Sequence, residues 1–102
     1  MIKNIQSIKK IVMKPTAITK CQIGQDWYKH EFVIEFVPDN FYPDYMEEES
    51  WIMNNIDGKE LNIEDAVDVL YKHLEELYAP KELHIIDNII GNKVHFDVIA
   101  EK

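Results

Sequence analysis

The alternation of hydrophobic and polar positions is clearest between Tyr28 and Val37. From Tyr28 onward every second side chain is aromatic or aliphatic except His30, and the positions between them are mostly charged. This period of two is typical of a strand that buries one face, and Pro38-Asp39 ends it. The sequence therefore predicts a strand whose buried face carries one histidine among apolar side chains.

Three other stretches have strand character. The N-terminal one fits a strand or a helix by spacing, but its β-branched residues and its end at Lys14-Pro15 favour a strand. This strand can continue past Pro15 through Thr16–Thr19. The last two strands are joined through Gly91-Asn92, a pair suited to a two-residue hairpin turn. These three predicted strands are Ile2–Met13, Leu83–Ile90 and Lys93–Ala100.

Two stretches with helical spacing separate the first and second pairs of strands. One begins at Pro43-Asp44, has Gly58 as its C-terminal stop, and carries the acidic run Glu47–Glu49 near its start, where we expect it to be solvated. The other begins with Asn62 as N-cap, and its apolar residues recur at helical spacing until Pro80. The second helix is the longer and more regular of the two.

The order of elements is strand, strand, helix, helix, strand, strand. Its simplest architecture is an α+β fold with a four-stranded antiparallel sheet and two helices on one face (ββααββ), formed by a single domain over residues 1–102. Such a sheet leaves edges and one open face. We therefore expect symmetric association of sheets into a barrel, as a homo-oligomer, with the functional site between neighbouring subunits.

Charge and composition narrow the classes of function. The net charge of −8 disfavours non-specific binding to nucleic acid or to anionic membranes. Residues 1–29 nevertheless carry six lysines against Asp26 alone, whereas residues 30–102 carry five lysines against eighteen acids. The four histidines have no metal-ligand spacing, and the N-terminus lacks the apolar core of a signal peptide, so we expect no metal and a cytoplasmic location.

The single cysteine, Cys21, precedes the most regular strand. One cysteine excludes a disulfide within the chain and leaves three roles: a buried small side chain, an exposed thiol or a nucleophile. A buried side chain is the commonest of these for a lone cysteine. The surrounding stretch, KCQIGQDWYKHEFVIEFVPD over residues 20–39, also contains Gly24-Gln25 and a strand closed by Pro38-Asp39.

In these motifs the chain resembles the tunnelling-fold family of 7-cyano-7-deazaguanine reductases and their smaller QueF-like relatives. The family has a Cys, a Gly-Gln loop, an amphipathic strand and a closing Pro-Asp, which match Cys21, Gly24-Gln25, Phe32–Val37 and Pro38-Asp39. The family's second helix opens with an acidic pair and ends at a proline. Here Glu64-Asp65 and Pro80 take those places, so the resemblance covers nearly the whole chain.

The resemblance implies a reaction and candidate residues for its steps. Cys21 would attack the nitrile carbon of 7-cyano-7-deazaguanine, free or in transfer RNA, and form a covalent thioimide. Glu64 would bind the guanine-like edge of the base. The family's acidic residue falls on Tyr28 in this chain, so Asp26, two residues earlier, is the candidate acid. Separately from the resemblance, His30 lies on the inner face of its strand, where it is a candidate for substrate contact. A hydrogen-bonded histidine of the core is the commoner role at such a position.

The resemblance leaves the fate of the thioimide open between two reactions. The reductases bind NADPH through a segment with lysine and arginine, but the matching residues 47–55 here carry three acids, and no cation lies between Lys29 and Lys59. The smaller relatives lack that segment and use ammonia to form an amidine, which is the outcome we expect, with no cofactor. A rival of another class is a non-catalytic acidic module that binds a basic partner.

Overall fold

The computed structural model describes residues 1–4 and 7–102. Across these residues the chain forms two helices and eight strands, which confirms the α+β class. Ile5, part of the predicted N-terminal strand, lies outside the described residues. The strands are β1 (Ile2–Lys3), β2 (Ile11–Met13), β3 (Thr16–Cys21), β4 (Trp27–Val37), β5 (Phe41–Tyr42), β6 (Glu60–Leu61), β7 (Glu82–Ile90) and β8 (His95–Glu101), and the helices are α1 (Tyr45–Asn55) and α2 (Asp65–Tyr78).

The larger sheet of the described residues has six strands, in the order β6-β3-β4-β7-β8, with β2 also paired to β4. It is mixed, because β6 runs parallel to β3 while the other pairs are antiparallel. The prediction of four antiparallel strands is therefore too simple. The long strands of the sheet nevertheless follow the predicted order around the two helices, and the short strands are additions at its edge.

The N-terminal strand was predicted as one unit and is divided in the structure. β1 pairs with β5 in a separate two-stranded sheet, whereas β2 and β3 both pair with β4. The register across Lys14-Pro15 is continuous, since Met13 lies opposite Ile34 and Thr16 lies opposite Glu31. Continuation of the strand past Pro15 is thus confirmed, and the carbonyl of Pro15 accepts the amide of Phe32 at 2.9 Å.

One face of the sheet packs against both helices. The predicted buried face of β4 is confirmed, because His30, Phe32, Ile34 and Phe36 are all at most 2% exposed. Burial of the three apolar side chains among them contributes about 1.5–3 kcal/mol each. The helices complete the core with their apolar sides, which contribute Ile52, Ile56, Ala66, Val67, Leu70, Leu74 and Tyr78.

Two helix boundaries and one turn differ from the sequence prediction. α2 begins at Asp65 with Glu64 at the N-cap, because Asn62 instead closes a turn through its carbonyl, which accepts the Asp65 amide at 2.9 Å. α1 ends at Asn55, three residues before Gly58. The β7–β8 connection spans four residues, 91–94, and not two, since the strand pairing ends at Ile90 and His95.

Candidate functional site

Cys21 is the last residue of β3 and lies at the closed end of the β3–β4 hairpin. Its amide donates to the carbonyl of Asp26 at 2.8 Å, and its carbonyl accepts the amide of Gln25 at 3.0 Å. The turn requires a left-handed conformation at Gln25, whose φ is 60°. The Cys21 side chain is partly exposed, so the thiol is neither deep in the core nor free in solvent.

The hairpin register brings Asp26 across from Cys21. The pairing of Lys20 with Trp27 continues into the hydrogen bond between Cys21 and Asp26, so these two residues face each other across the strands. Directly opposed residues project to the same face of a sheet, here the face that carries the helices. The structure thus places two of the sequence-predicted residues, Cys21 and Asp26, next to each other.

Asp26 also lines a cleft of about 430 Å³ between this hairpin and the β7–β8 turn. Tyr28, which occupies the position of the family's acidic residue, lies in the same cleft. The opposite wall is the turn that carries Asn92 and Lys93. The candidate acid, Asp26, and the residue at the family's acid position, Tyr28, therefore line one cavity. The remaining lining residues are Gly91 and Val94.

Gly91 is required by the position of the Tyr28 ring. A Cβ at residue 91 would lie 2.6 Å from Cε1 of Tyr28 and 3.2 Å from the backbone oxygen of Val94. Cβ atoms essentially never come this close to other heavy atoms, so any side chain at residue 91 would displace Tyr28. The glycine thus shapes the cleft as well as the turn.

Glu64 lies at the same end of the sheet as Cys21. Strand β6 runs beside Cys21, with Leu61 as its partner, and the amide of Gln22 donates to the Leu61 carbonyl at 3.3 Å. Glu64 follows three residues later at the start of α2. Its side chain is exposed and makes no capping hydrogen bond to the helix, so it is accessible to a ligand. A carboxylate is stabilised there by the positive end of the helix dipole.

Gln25 ties the hairpin turn to β6. Its side-chain amide donates to the carbonyl of Gln22 at 2.9 Å and to the carboxylate of Glu60 at 3.1 Å. These contacts hold the turn that follows Cys21 against the strand that leads toward Glu64. Gln25 of the Gly-Gln motif therefore has a structural role in this fold.

His30 is not at the surface of this site, so of its two predicted roles the structure shows the hydrogen-bonded core histidine and not the substrate contact. Its ring is fully buried, with Nε2 2.6 Å from the Thr19 hydroxyl and Nδ1 2.8 Å from a carboxylate oxygen of Asp87. Both ring nitrogens are thus occupied by side chains of the core. Burial raises the pKa of Asp87, and the contact with His30 opposes that rise.

A second buried network was missed by the sequence analysis. Glu48, in the acidic run predicted to be solvated, is only 6% exposed and accepts hydrogen bonds from Tyr78 Oη at 2.6 Å and from His73 Nε2 at 2.8 Å. Burial and the contact with Glu48 raise the pKa of Tyr78. Trp51 stacks on His73 with ring centroids 3.7 Å apart. The helical spacing of Glu48 and Ile52 was the available signal, because both share the inner side of α1.

The described part of the chain holds no cluster of three His, Cys, Asp or Glu side chains suited to a metal ion. No helix among these residues is both long enough and apolar enough to cross a bilayer. What the site offers is a thiol, a facing carboxylate, a phenol and an accessible carboxylate at a helix start. This set can perform nucleophilic addition, proton transfer and recognition of a hydrogen-bonding edge.

Comparison with known proteins identifies the fold. No protein-family model matches the sequence, and no curated protein matches it. Among solved structures, the crystal structure of the archaeosine synthase QueF-Like in the apo form superposes with a TM-score of 0.83. The two chains are 18% identical, and the match covers 95% of this chain and 96% of the other.

This chain has the QueF-Like fold. The resemblance stated from the sequence motifs is confirmed at that level, and the protein with the similar structure is an enzyme. An identity of 18% does not transfer individual residues. The roles of Cys21, Asp26 and Glu64 in this QueF-Like fold therefore depend on the geometry of the site described above.

Proposed function

We propose that this protein is a deazaguanine-modifying enzyme that converts the nitrile of 7-cyano-7-deazaguanine into an amidine. The observation that carries the proposal is the placement of a partly exposed Cys21 at the end of β3, opposite Asp26 and beside the strand that leads to Glu64. The fold shared with an archaeosine synthase supports it. The substrate is the deazapurine base, free or carried in transfer RNA.

The thiol of Cys21 supplies the nucleophile. The S–H proton of the thiol passes to the carboxylate of Asp26 as the sulfur bonds to the nitrile carbon and one carbon–nitrogen π bond breaks. The nitrogen then takes up that proton to give the thioimide. Asp26 is the acid for this proton because it faces Cys21 across the hairpin. Ammonia then attacks the same carbon, the carbon–sulfur bond breaks, and the amidine leaves as the thiol is regenerated. No step changes the oxidation state of the substrate.

Glu64 binds the base in this proposal. An ionised carboxylate offers only acceptors, which suits the ring N–H and the exocyclic amine of a guanine-like edge. Its accessible position at the start of α2 supports this role. The acids of α1 argue against binding of a nicotinamide cofactor there, since Glu47 and Glu49 are exposed and would repel its phosphates.

The decisive experiment is to incubate the protein with 7-cyano-7-deazaguanine and map any mass increase by peptide mass spectrometry. We expect one adduct, located on Cys21, and none in Cys21→Ala. Adding ammonia to the isolated adduct should release the amidine and restore the free thiol. Release only with reduced nicotinamide cofactor would instead identify a reductase.

Accessibility of the thiol must be controlled in the same preparation. Alkylation of Cys21 by iodoacetamide shows that the residue can react. Absence of a nitrile adduct at saturating ligand, with Cys21 alkylated normally, would contradict the enzymatic proposal. Tight, salt-sensitive binding to a basic protein that persists in Cys21→Ala would then favour the acidic binding module.

A further inference from the structure

Three polar side chains form a continuous chain through the core beneath the site. Asp87 of β7, His30 of β4 and Thr19 of β3 are each 0% exposed. The contacts run from Asp87 Oδ2 to His30 Nδ1 at 2.8 Å and from His30 Nε2 to Thr19 Oγ1 at 2.6 Å. Neighbouring strands each contribute one member, so the chain crosses the sheet toward β3.

Burying these three polar side chains in an apolar core costs free energy. The second carboxylate oxygen of Asp87 is buried without a hydrogen-bond partner among the described residues. Burial raises the pKa of Asp87, which reflects the penalty for its charged form. The surroundings are apolar, with His30 stacked on Phe32 at a centroid distance of 5.6 Å. Apolar side chains of similar volume often give an equally or more stable core, so packing alone does not account for this arrangement.

The series of hydrogen bonds from Asp87 through His30 ends at Thr19, beside the candidate nucleophile Cys21. Thr19 precedes Cys21 by two residues on the same strand, so both side chains project to the same face, about 7 Å apart along β3. The Thr19 hydroxyl is fixed by His30, and His30 is fixed by Asp87. No similar contact from the other buried network reaches β3, because Glu48, His73 and Tyr78 lie on the two helices.

We propose that Asp87, His30 and Thr19 form a positioning relay for Cys21. The carboxylate orients the imidazole, the imidazole orients the Thr19 hydroxyl, and this anchored side chain holds the end of β3 from which the thiol projects. The inference rests on the proposed function for its catalytic consequence. The structural claim, that the relay holds the end of β3 in place, does not depend on the proposed function and is tested separately.

Two substitutions at Thr19 separate the hydroxyl from packing. Thr19→Val keeps the branched shape and removes the hydroxyl, whereas Thr19→Ser keeps the hydroxyl and removes a methyl group. Thr16→Val is the matched control, because Thr16 is exposed on the opposite face of the same strand. Tyr78→Phe removes a hydroxyl from the other buried network and controls for general loss of stability.

Two measurements are made on each variant. Amide hydrogen exchange at Cys21 and Gln22, followed by NMR, reports how firmly the end of β3 is held. We expect exchange about tenfold faster in Thr19→Val than in the wild type, near wild-type exchange in Thr19→Ser, and no change in Thr16→Val or Tyr78→Phe. The rate of nitrile adduct formation at Cys21 should fall about tenfold in Thr19→Val and recover in Thr19→Ser.

The outcomes distinguish the relay from its alternatives. If Thr19→Ser is impaired more than Thr19→Val, Thr19 acts by packing and the relay is wrong. If Tyr78→Phe accelerates exchange at Cys21 as much as Thr19→Val does, the effect is general destabilisation and the relay is again wrong. A wild-type protein that forms no nitrile adduct would contradict the proposed function, and the exchange data would still decide the structural part of the relay.

Discussion

At the scale of single residues, the two buried carboxylates differ in how fully they are hydrogen bonded. Glu48 accepts one hydrogen bond at each oxygen, from His73 and from Tyr78. Asp87 has one oxygen bonded to His30 and one without a partner among the described residues. A buried charge is tolerated when its lone pairs are satisfied, so Glu48 should stabilise the fold, whereas Asp87 should weaken it when ionised.

Replacing Glu48 should therefore cost stability. In Glu48→Gln the neutral amide presents donors where Tyr78 and His73 donate, so at least one charged hydrogen bond is lost, at about 1.5–3 kcal/mol. The same change at Glu49, which is exposed one residue further along α1, should alter stability by less than about 0.5 kcal/mol. Urea unfolding of both variants measures the difference. Equal effects at the two positions would contradict this account of the network.

The raised pKa of Asp87 predicts a pH dependence with a definite sign. The ordinary value for this carboxyl is 3.8, and burial raises the pKa in the folded protein. The folded state therefore holds the proton more tightly than the unfolded state, and this contribution to stability is lost as pH rises through the raised pKa. In Asp87→Asn the side chain does not ionise, so this decrease in stability with rising pH is absent.

The measurement is the free energy of unfolding of both proteins across the acidic to neutral range. The stability of Asp87→Asn relative to the wild type should rise as pH increases from about 4 to about 7. Glu31→Gln, on the opposite face of β4, should show no such trend relative to the wild type. A relative stability of Asp87→Asn that falls with pH would mean that the ion pair with His30 outweighs the cost of burial.

At the scale of elements, the site depends on two hairpins whose closed ends meet. The β3–β4 hairpin contributes Asp26 and Tyr28 to the cleft, and the β7–β8 turn forms its facing wall. Cys21 lies opposite Asp26 in the same hairpin. Gly91 determines the shape of the cleft, because the absence of a side chain there allows the Tyr28 ring to lie against the turn. A substitution in one hairpin should therefore displace side chains of the other.

Gly91→Ala tests that dependence. The added Cβ would meet the Tyr28 ring at 2.6 Å, so this ring, which lines the cleft, must be displaced. We expect nitrile adduct formation at Cys21 to slow by about tenfold, since small displacements of reacting groups have effects of this size or larger. Gly24→Ala, where the nearest contact is an ordinary 3.7 Å to Asp26, should retain the wild-type rate. Equal rates in Gly91→Ala and the wild type would exclude the cleft from the reaction.

The elements also show what could be predicted from the sequence. The strand predicted over Tyr28–Val37 and the apolar side of α2 follow from local periodicity. Both are confirmed, and the strand begins one residue earlier, at Trp27. The pairing of Cys21 with Leu61 is a parallel contact between residues forty positions apart, and no local pattern specifies it. The burial of His30 and Glu48 depends in the same way on partners from distant elements, Asp87 and Tyr78. Local periodicity identified the buried face that carries His30 but neither the burial of Glu48 nor the hydrogen-bond partners of either residue.

At the scale of the whole molecule, the sheet face away from the helices carries an apolar row between charged ones. Val33 lies opposite Ile86, and Ile86 lies opposite Ile99, across β4, β7 and β8. Ile99 is 56% exposed in the single chain. Polar and charged residues occupy the adjacent rows, among them Glu31, Asn88 and Asp97. An apolar row of this kind on an open sheet favours association with another sheet.

We predict that the protein is a homo-oligomer that buries this face and that Ile99→Glu weakens its assembly. A carboxylate at Ile99, the end of the apolar row on the edge strand β8, would lose its hydration on association without gaining a cationic partner there. Val69→Glu is the matched control, because Val69 is an exposed apolar residue on α2, which packs on the other face of the sheet. Sedimentation velocity over a range of concentrations should show the wild type and Val69→Glu as oligomers, with Ile99→Glu shifted toward the monomer. A monomeric wild type would contradict the prediction, and an Ile99→Glu variant that assembles like the wild type would exclude this face as the interface.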